Sequence, residues 1–522
     1  MRSASRHRVA YSRCTAGVLA LLAIVAADPA RAAGAAAAPG TATGKAPASV
    51  TAASVRGASA LKSEARRWLD EQAPLLSRTN RRIWSFAETS LDEGRSSAEL
   101  QQLLRQAGFR VEAGVAGMPT AFVASFGSGR PVIGILAEFD ALPGVSQAAD
   151  GAPAPGPNPA AGHACGHSAF GAGSTGAALA IARLIATGAL RGTVKLYGTP
   201  AEETAIGKVY MLRAGFFKED DVIFTWHPSG RTEVPFGTTM SIVSAKFRFR
   251  GNAAHAALQP FAGRSALDAV ELMNVGVNYM REHVRDDARI HYVVTQGGGQ
   301  PNVVPADAES WYYVRAYDFG DVARYFEWVR EIAEGAAKMT QTRLDAVEIQ
   351  SELHNMIPTP ELVRLVHENL EAVGPPRWTE AELRLARATQ LNFSDPSRRG
   401  PPPEGTPALA PGIEPMPTTP SKGAASSDVG DVSWFVPVAN LFVASFGYGL
   451  PQHSWPVVAA TGSSIGDKAL LVAAKTIASS AIELYLDPAR LERVRADWRR
   501  ARGDAPWRTL IPEGQQAPAS VR

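Results

Sequence analysis

Cysteine is almost missing from this sequence: 522 residues carry two of them, Cys14 and Cys165. That excludes a disulfide-stapled scaffold. Charge of one sign is also missing. The chain has 53 basic and 50 acidic residues, but residues 1–32 hold five Arg and one Asp, so without them the counts become 48 and 49. The pI of about 8.8 therefore gives no support for nucleic-acid binding. Long apolar runs are scarce too. The clearest, Ala16 to Ala27, is too short to span a bilayer comfortably, and no other stretch looks long enough. With 45% hydrophobic and 20% charged residues, the composition is that of a globular protein, neither disordered nor membrane-embedded.

That apolar run follows Arg2, Arg6, Arg8 and Arg13 and precedes Ala30-Arg31-Ala32, a small-x-small pattern. Together these predict a secretory signal peptide over residues 1–32, with an uncleaved anchor as the alternative. Export places the chain in the periplasm if the cell is Gram-negative, and otherwise outside it. Cys14 precedes the apolar run and leaves with the leader. Cys165 then stands as a lone thiol in an exported protein, which calls for a reactive or metal-binding explanation.

The length calls for more than one core. Residues 33–60, rich in Ala, Gly, Ser, Thr and Pro, are expected to form a flexible linker. Short apolar runs at 132–139, 193–197 and 222–225 alternate with helical segments at 173–187 and 204–214. This predicts an α/β fold with a mostly parallel sheet and helices on both faces, over residues 61–239 and again over 355–487. Residues 240–354 read β-α-β-β-α-β, the ferredoxin-like order, as an inserted unit. Residues 396–425, rich in Pro, Gly and Ser, read as a surface loop, with a similar Pro-rich loop at 150–160. Residues 488–522 read as a tail with a short helix and a frayed end.

In parallel sheets ligands bind beyond the carboxyl ends of the strands, so the polar residues that follow these runs are the candidates. Gly162-His163-Ala164-Cys165-Gly166-His167 offers a thiol and an imidazole, both good ligands for zinc-like metals. Two apart in extended chain, Cys165 and His167 would share a side. Glu202 and Glu203 are adjacent carboxylates after a strand. They suit a metal ligand and a general base, and equally the N-terminus of a solvated helix. His227, in Trp226-His227-Pro228, again follows a strand, and His453 lies in a distal loop. Of nine histidines beyond the leader, three fall at strand ends or loops of one predicted domain.

The order His-Ala-Cys-Gly-His, Pro-Ala-Glu-Glu, Trp-His-Pro and a distal His resembles the co-catalytic metallopeptidase family of aminoacylases, carboxypeptidase G and auxin-conjugate hydrolases. Within it the sequence is similar to the Cys-containing aminobenzoyl-glutamate hydrolase branch. Ala137-Glu138-Phe139-Asp140-Ala141-Leu142-Pro143, Gly263 to Val270 and Ser426 to Trp434 carry that likeness. The resemblance spans residues 61–487. It implies hydrolysis of the amide bond of small N-acyl or N-aroyl amino acids, with a dipeptide or another aromatic amide as the enzymatic alternative and a silent ligand-binding protein as the non-enzymatic one. It implies two divalent ions per subunit, zinc or manganese, held by Cys165, His167, Glu203, His227 and His453. Glu202 would be the general base, and Asp140 would orient a ligand. The inserted unit would be a lid and homodimerisation surface. From it His255 would reach the partner subunit's site, and Asn302 and Arg315 would contact the substrate; Arg315 reads equally as an ordinary strand arginine. Ser168 stands where the branch has Asp or Asn, and Asp467 and Ala469 where it has His and Gly. Neither departure removes a ligand or the base.

Overall fold

The computed structural model describes residues 52–394, 400–423 and 425–519, and side chains from residue 57 on. The expected signal peptide and residues 33–51 of the expected linker lie outside the described residues.

The larger sheet has six strands in the order Arg110–Ala113, Phe122–Ser128, Gly192–Gly198, Val132–Ala137, Val222–Phe224 and Val438–Ala439. Its first two pairings are antiparallel and its other three parallel. The sheet is mixed but mostly parallel, with Phe122–Ser128 the one reversed strand, and its parallel pairings are made largely by the apolar runs singled out above. The central strand Val132–Ala137 is apolar at nearly every position because both of its faces are covered. Ile133 and Ile135 enter a core built with the helices His167–Ala186 and Ser464–Leu486. Leu136 enters another on the opposite face, with residues of the helix Gly207–Arg213. Ile135 is fully buried, so Ile135→Ala would cost about 2–5 kcal/mol.

Residues 241–353 form a four-stranded antiparallel sheet in the order Arg289–Gln296, Asp307–Ala316, Ser241–Arg250, Arg343–Leu353. The helices Ala266–Met280 and Phe319–Thr340 supply a common apolar core with it. Each helix starts at a side-chain cap: Ser265 accepts from the Asp268 N–H and Asp318 from the Asp321 N–H, both at 3.1 Å. Ile242 and Leu353, at the ends of two of these strands, enter the core around Leu136 and so fix this unit against the first sheet.

Four expectations need correction. Residues 52–60, assigned to the linker, open the helix Ala52–Glu71, since Ala and Ser runs are compatible with helix as well as with coil. The helix expected from Gly173 begins at His167, so Cys165 and His167 are not two residues of an extended chain. Two helices, His167–Ala186 and Ser464–Leu486, are long and apolar enough to cross a membrane by length and composition, but 83% and 78% of their apolar windows are buried inside the fold. Finally, the tail does not fray over residues 503–519. Ile511 is buried, the Leu510 N–H donates to Glu352 at 2.7 Å, and Gln515 donates to the Ile349 carbonyl at 2.8 Å.

Candidate metal centre and active site

The candidate residues sit on turns that leave the parallel strands. Glu138 and Asp140 follow Val132–Ala137. Cys165 precedes Gly166, whose φ of +83° lets the chain turn directly into the helix opened by His167. A Cβ at Gly166 would lie 2.8 Å from Pro228, so glycine also permits the approach of the His227 segment. Glu202 and Glu203 lie on a turn flanked by Ala201 and Ala205, both in left-handed conformation. The buried Glu93 carboxylate holds that turn by accepting the Ala201 N–H at 2.9 Å. His227 is placed by parallel pairing of His227–Ser229 with Phe442–Ala444. The His453 N–H donates to the Ala164 carbonyl at 3.0 Å, tying the distal loop to the Cys165 segment.

The structure brings Cys165, His167, Glu202, Glu203, His227 and His453 together. Ligand atoms of Cys165, His167 and His227 lie within 4.8 Å of one another, as do those of Cys165, Glu203 and His453. Cys165 belongs to both sets. Its Sγ is 3.3 Å from His227 Nε2, while His227 Nδ1–H donates to the Pro228 carbonyl at 2.7 Å and leaves Nε2 as the free lone pair. His167 Nδ1–H donates to Asp140 at 2.8 Å, and Asp140 also accepts the Glu203 N–H at 3.0 Å. One carboxylate thus orients two of the candidate ligands. His453 Nε2 is 3.4 Å from Glu203.

Electrostatically the site is crowded with groups that resist carrying like charge. Burial, then the neighbouring Glu138, pushes Glu202 up to about 7. Burial, then Glu202 and Asp140, pushes Glu203 up to about 8. Burial raises the Cys165 thiol well above its ordinary value, with Glu203 adding to it. Burial, then His167, lowers His227 to about 3. Three buried atoms facing the site, Glu138 Oε2, His167 Nε2 and Glu203 Oε1, have no hydrogen-bond partner among the described residues, although the first two lie 3.2 Å apart. A mixed thiol, imidazole and carboxylate set with unpartnered buried donor atoms fits divalent cations of the zinc and manganese kind.

A cavity of about 620 Å³ opens onto these groups, lined among others by Glu202, Glu203, His227, His453, Arg231 and Arg315. Arg315 comes from the strand Asp307–Ala316, and its buried Nε has no hydrogen-bond partner among the described residues. His255 and Asn302 are not among the residues lining this cavity. Both are exposed on the four-stranded unit, where the Asn302 carbonyl accepts the Ala256 N–H at 2.9 Å and His255 Nδ1 accepts the Ala257 and Leu258 N–H groups at 3.2 Å.

The sequence pattern of "Peptidase family M20/M25/M40" matches residues 134–383. The chain is 38% identical to one of the subunits of the p-aminobenzoyl-glutamate hydrolase of Escherichia coli, over 83% of this chain and 93% of that protein. It belongs to peptidase family M20/M25/M40. It is also 27% identical to the Xaa-Arg dipeptidase of Mus musculus, over 84% of this chain and 92% of that one. Its fold matches the crystal structure of Bacillus subtilis YXEP, described as a dinuclear metal binding peptidase of the M20 family, with a TM-score of 0.51 and 19% identity, over 80% of this chain and 99% of that one. Membership makes the chain a hydrolase of amide bonds, an amidohydrolase of the M20 type.

The sequence reading missed four buried ionisable groups behind the site. Lys208 is fully buried, with Nζ 2.7 Å from Glu138 and 2.6 Å from Asp428. Burial opposes its charge, but Asp428 and Glu138 raise its pKa above the ordinary value. Glu93, pushed up to about 8 by burial and then Asp140, holds the Glu202 turn as described. Glu138 and Asp428 lie within motifs already singled out, at a strand end and in Ser426 to Trp434. Lys208 carried no such signal, since a lysine in a helical segment reads as solvated.

Proposed function

We propose that this M20 hydrolase cleaves the amide bond of small N-acyl or N-aroyl amino acids, with a p-aminobenzoyl-glutamate-like conjugate as the sharpest case. The carrying observation is the pair of donor sets sharing Cys165 beside Glu202, at the mouth of a cavity that also holds Arg315. Cys165, His167, Glu203, His227 and His453 would hold two divalent ions, zinc or manganese. When bound, these would polarise the scissile carbonyl and make water more acidic. Glu202 would take the proton of the attacking water and return it to the leaving amine. Asp140 would keep the His167 ring and the Glu203 backbone in place. Arg315, with an unpartnered buried N–H, would bind the substrate carboxylate through its fork of donors.

The β-α-β-β-α-β order of residues 241–353 supports reading that unit as a ferredoxin-like lid. Exposed Val293 and Val294 on its edge strand, and exposed Val275 and Tyr279 on its first helix, support a homodimer through it. In such a dimer His255 would stabilise the oxyanion in the partner subunit's site and Asn302 would meet the substrate there. The Arg-rich start, apolar run and Ala30-Arg31-Ala32 support export, to the periplasm in a Gram-negative cell. A dipeptidase reading is favoured by Glu233, a carboxylate lining the same cavity that suits a free amine or guanidinium.

The test is amino-acid release by purified protein from a panel of N-acyl and N-aroyl amino acids and dipeptides, with and without zinc or manganese. Metal-dependent release that falls at least about a hundredfold in Glu202→Gln is expected. Stoichiometric metal binding with no turnover on any member would favour the silent-binder alternative and overturn the proposal.

A further inference from the structure

A second cavity, of about 950 Å³, adjoins the first, and Gln452 and His453 line both. Its other walls are of a different chemistry. Pro153, Pro155 and Pro159 come from the Pro-rich loop, Pro451 and Trp455 from the distal loop and the start of the helix after it, and Phe393 from the end of another helix. Among the described residues that line it, His453 is the only ionisable one. The inner cavity, by contrast, holds Arg231 and Arg315.

The Pro-rich wall is built rather than slack. Gln147 donates from Nε2 to the Ala152 carbonyl at 2.8 Å and accepts the Ala154 N–H at 3.1 Å. Asn158 donates to the carbonyls of Phe86 and Ala87 at 3.1 and 3.0 Å. Asn392, beside Phe393, donates to the Gly151 carbonyl at 2.8 Å and ties the two walls together. A wall fixed in this way loses little conformational freedom when a ligand meets it.

We propose that this outer cavity is an aryl subsite, taking the planar, uncharged acyl group of an N-aroyl amino acid while the amino-acid carboxylate lies toward the arginines. The inference rests on the amidohydrolase reading above and gives the substrate a direction. The scissile bond would sit beside His453, which lines both cavities, with Glu202 in the wall of the inner one, so the two ends of the molecule face opposite chemistries. Flat apolar side chains such as Trp455 and Phe393 suit a ring by offset or edge-to-face contact. A charged acyl group would find no fixed opposite charge among the described residues that line it.

The experiment is calorimetric binding of N-benzoyl-L-glutamate and N-acetyl-L-glutamate to zinc-loaded Glu202→Gln protein, alone and with Trp455→Ala, Trp455→Leu or Phe393→Ala added. Affinity for the benzoyl compound is expected to fall about tenfold in the Trp455→Ala protein, with less than a twofold change for the acetyl compound. Retained acetyl binding also reports that each variant is folded. Parallel losses for both ligands in all three variants, or no change for either, would overturn the aryl subsite. Absence of turnover of both compounds by the wild-type enzyme, with the benzoyl selectivity intact in binding, would instead overturn the hydrolytic reading and leave the subsite standing.

Discussion

Glu352 makes the stability of this fold fall as pH rises from about 4.5 to about 7. It lies on the strand Arg343–Leu353, fully buried, where Oε2 accepts the Leu510 N–H at 2.7 Å and Oε1 has no hydrogen-bond partner among the described residues. Burial is the main cause that raises its pKa to about 7 from an ordinary 4.5. Asp431 adds to this, while Thr509, the Leu510 N–H and His354 act against it. The folded chain therefore holds this proton more tightly than the unfolded chain does. Below about 4.5 both states are protonated and the group contributes no pH dependence. Between 4.5 and 7 the unfolded carboxyl ionises and the folded one does not, so stability drops with pH, and above about 7 the loss is complete. At about 1.36 kcal/mol per pH unit, the displacement amounts to about 3 kcal/mol. Glu352→Gln keeps an oxygen for the Leu510 N–H and removes the titration. Its amide group inherits the unpartnered position, which adds a cost that does not vary with pH. The quantity to measure is thus the difference between variant and wild type in urea unfolding at pH 5, 6, 7 and 8.5. That difference should move toward the variant by about 2.5 kcal/mol between pH 5 and 8.5, the rest of the loss lying below pH 5. Parallel stability curves would refute the argument, because they would show that Glu352 ionises in the fold as easily as in the open chain.

Lys208→Met leaves Glu138 and Asp428 buried without their cation, so about 3–5 kcal/mol of stability should be lost in urea titration, and a loss under about 1 kcal/mol would show that the ammonium is not holding them. Gly166→Ala forces a Cβ to within 2.8 Å of Pro228 at a φ of +83°, so zinc retained after dialysis, read by elemental analysis, should require at least about tenfold more free metal; unchanged retention would mean the Cys165–His167 turn does not position ligands. Trp507→Ala removes an indole that donates to Asp431 at 3.1 Å and packs on His354, and should cost about 2–3 kcal/mol in the same unfolding assay, whereas a frayed tail would make it silent.

What the sequence makes legible depends on how local the cause is. The strand Arg343–Leu353 and its companions were readable because a half-buried strand must alternate, as Asp307–Ala316 does residue by residue between partly buried and buried positions. The candidate ligands were readable because a thiol, imidazoles and adjacent carboxylates recur just beyond apolar strands, where an α/β sheet presents its side chains to a cavity. The start of the His167 helix was not, since it lacks a side-chain cap and begins instead on a left-handed glycine with its first turn already buried. The tail was not either: its Pro and polar composition looks free, yet its order comes from residues such as Glu352 and Ile349 that are far away in the chain. Lys208 shows the general point most sharply. Alone it is a solvated helix lysine, and only Asp428, 220 positions later, together with Glu138 makes its burial tolerable. The same tertiary pairing ties the strand that ends at the candidate site to the segment Ser426 to Trp434. Residues that hold a catalytic group by compensating buried charge therefore have no local pattern to be found by, whereas the groups they hold do.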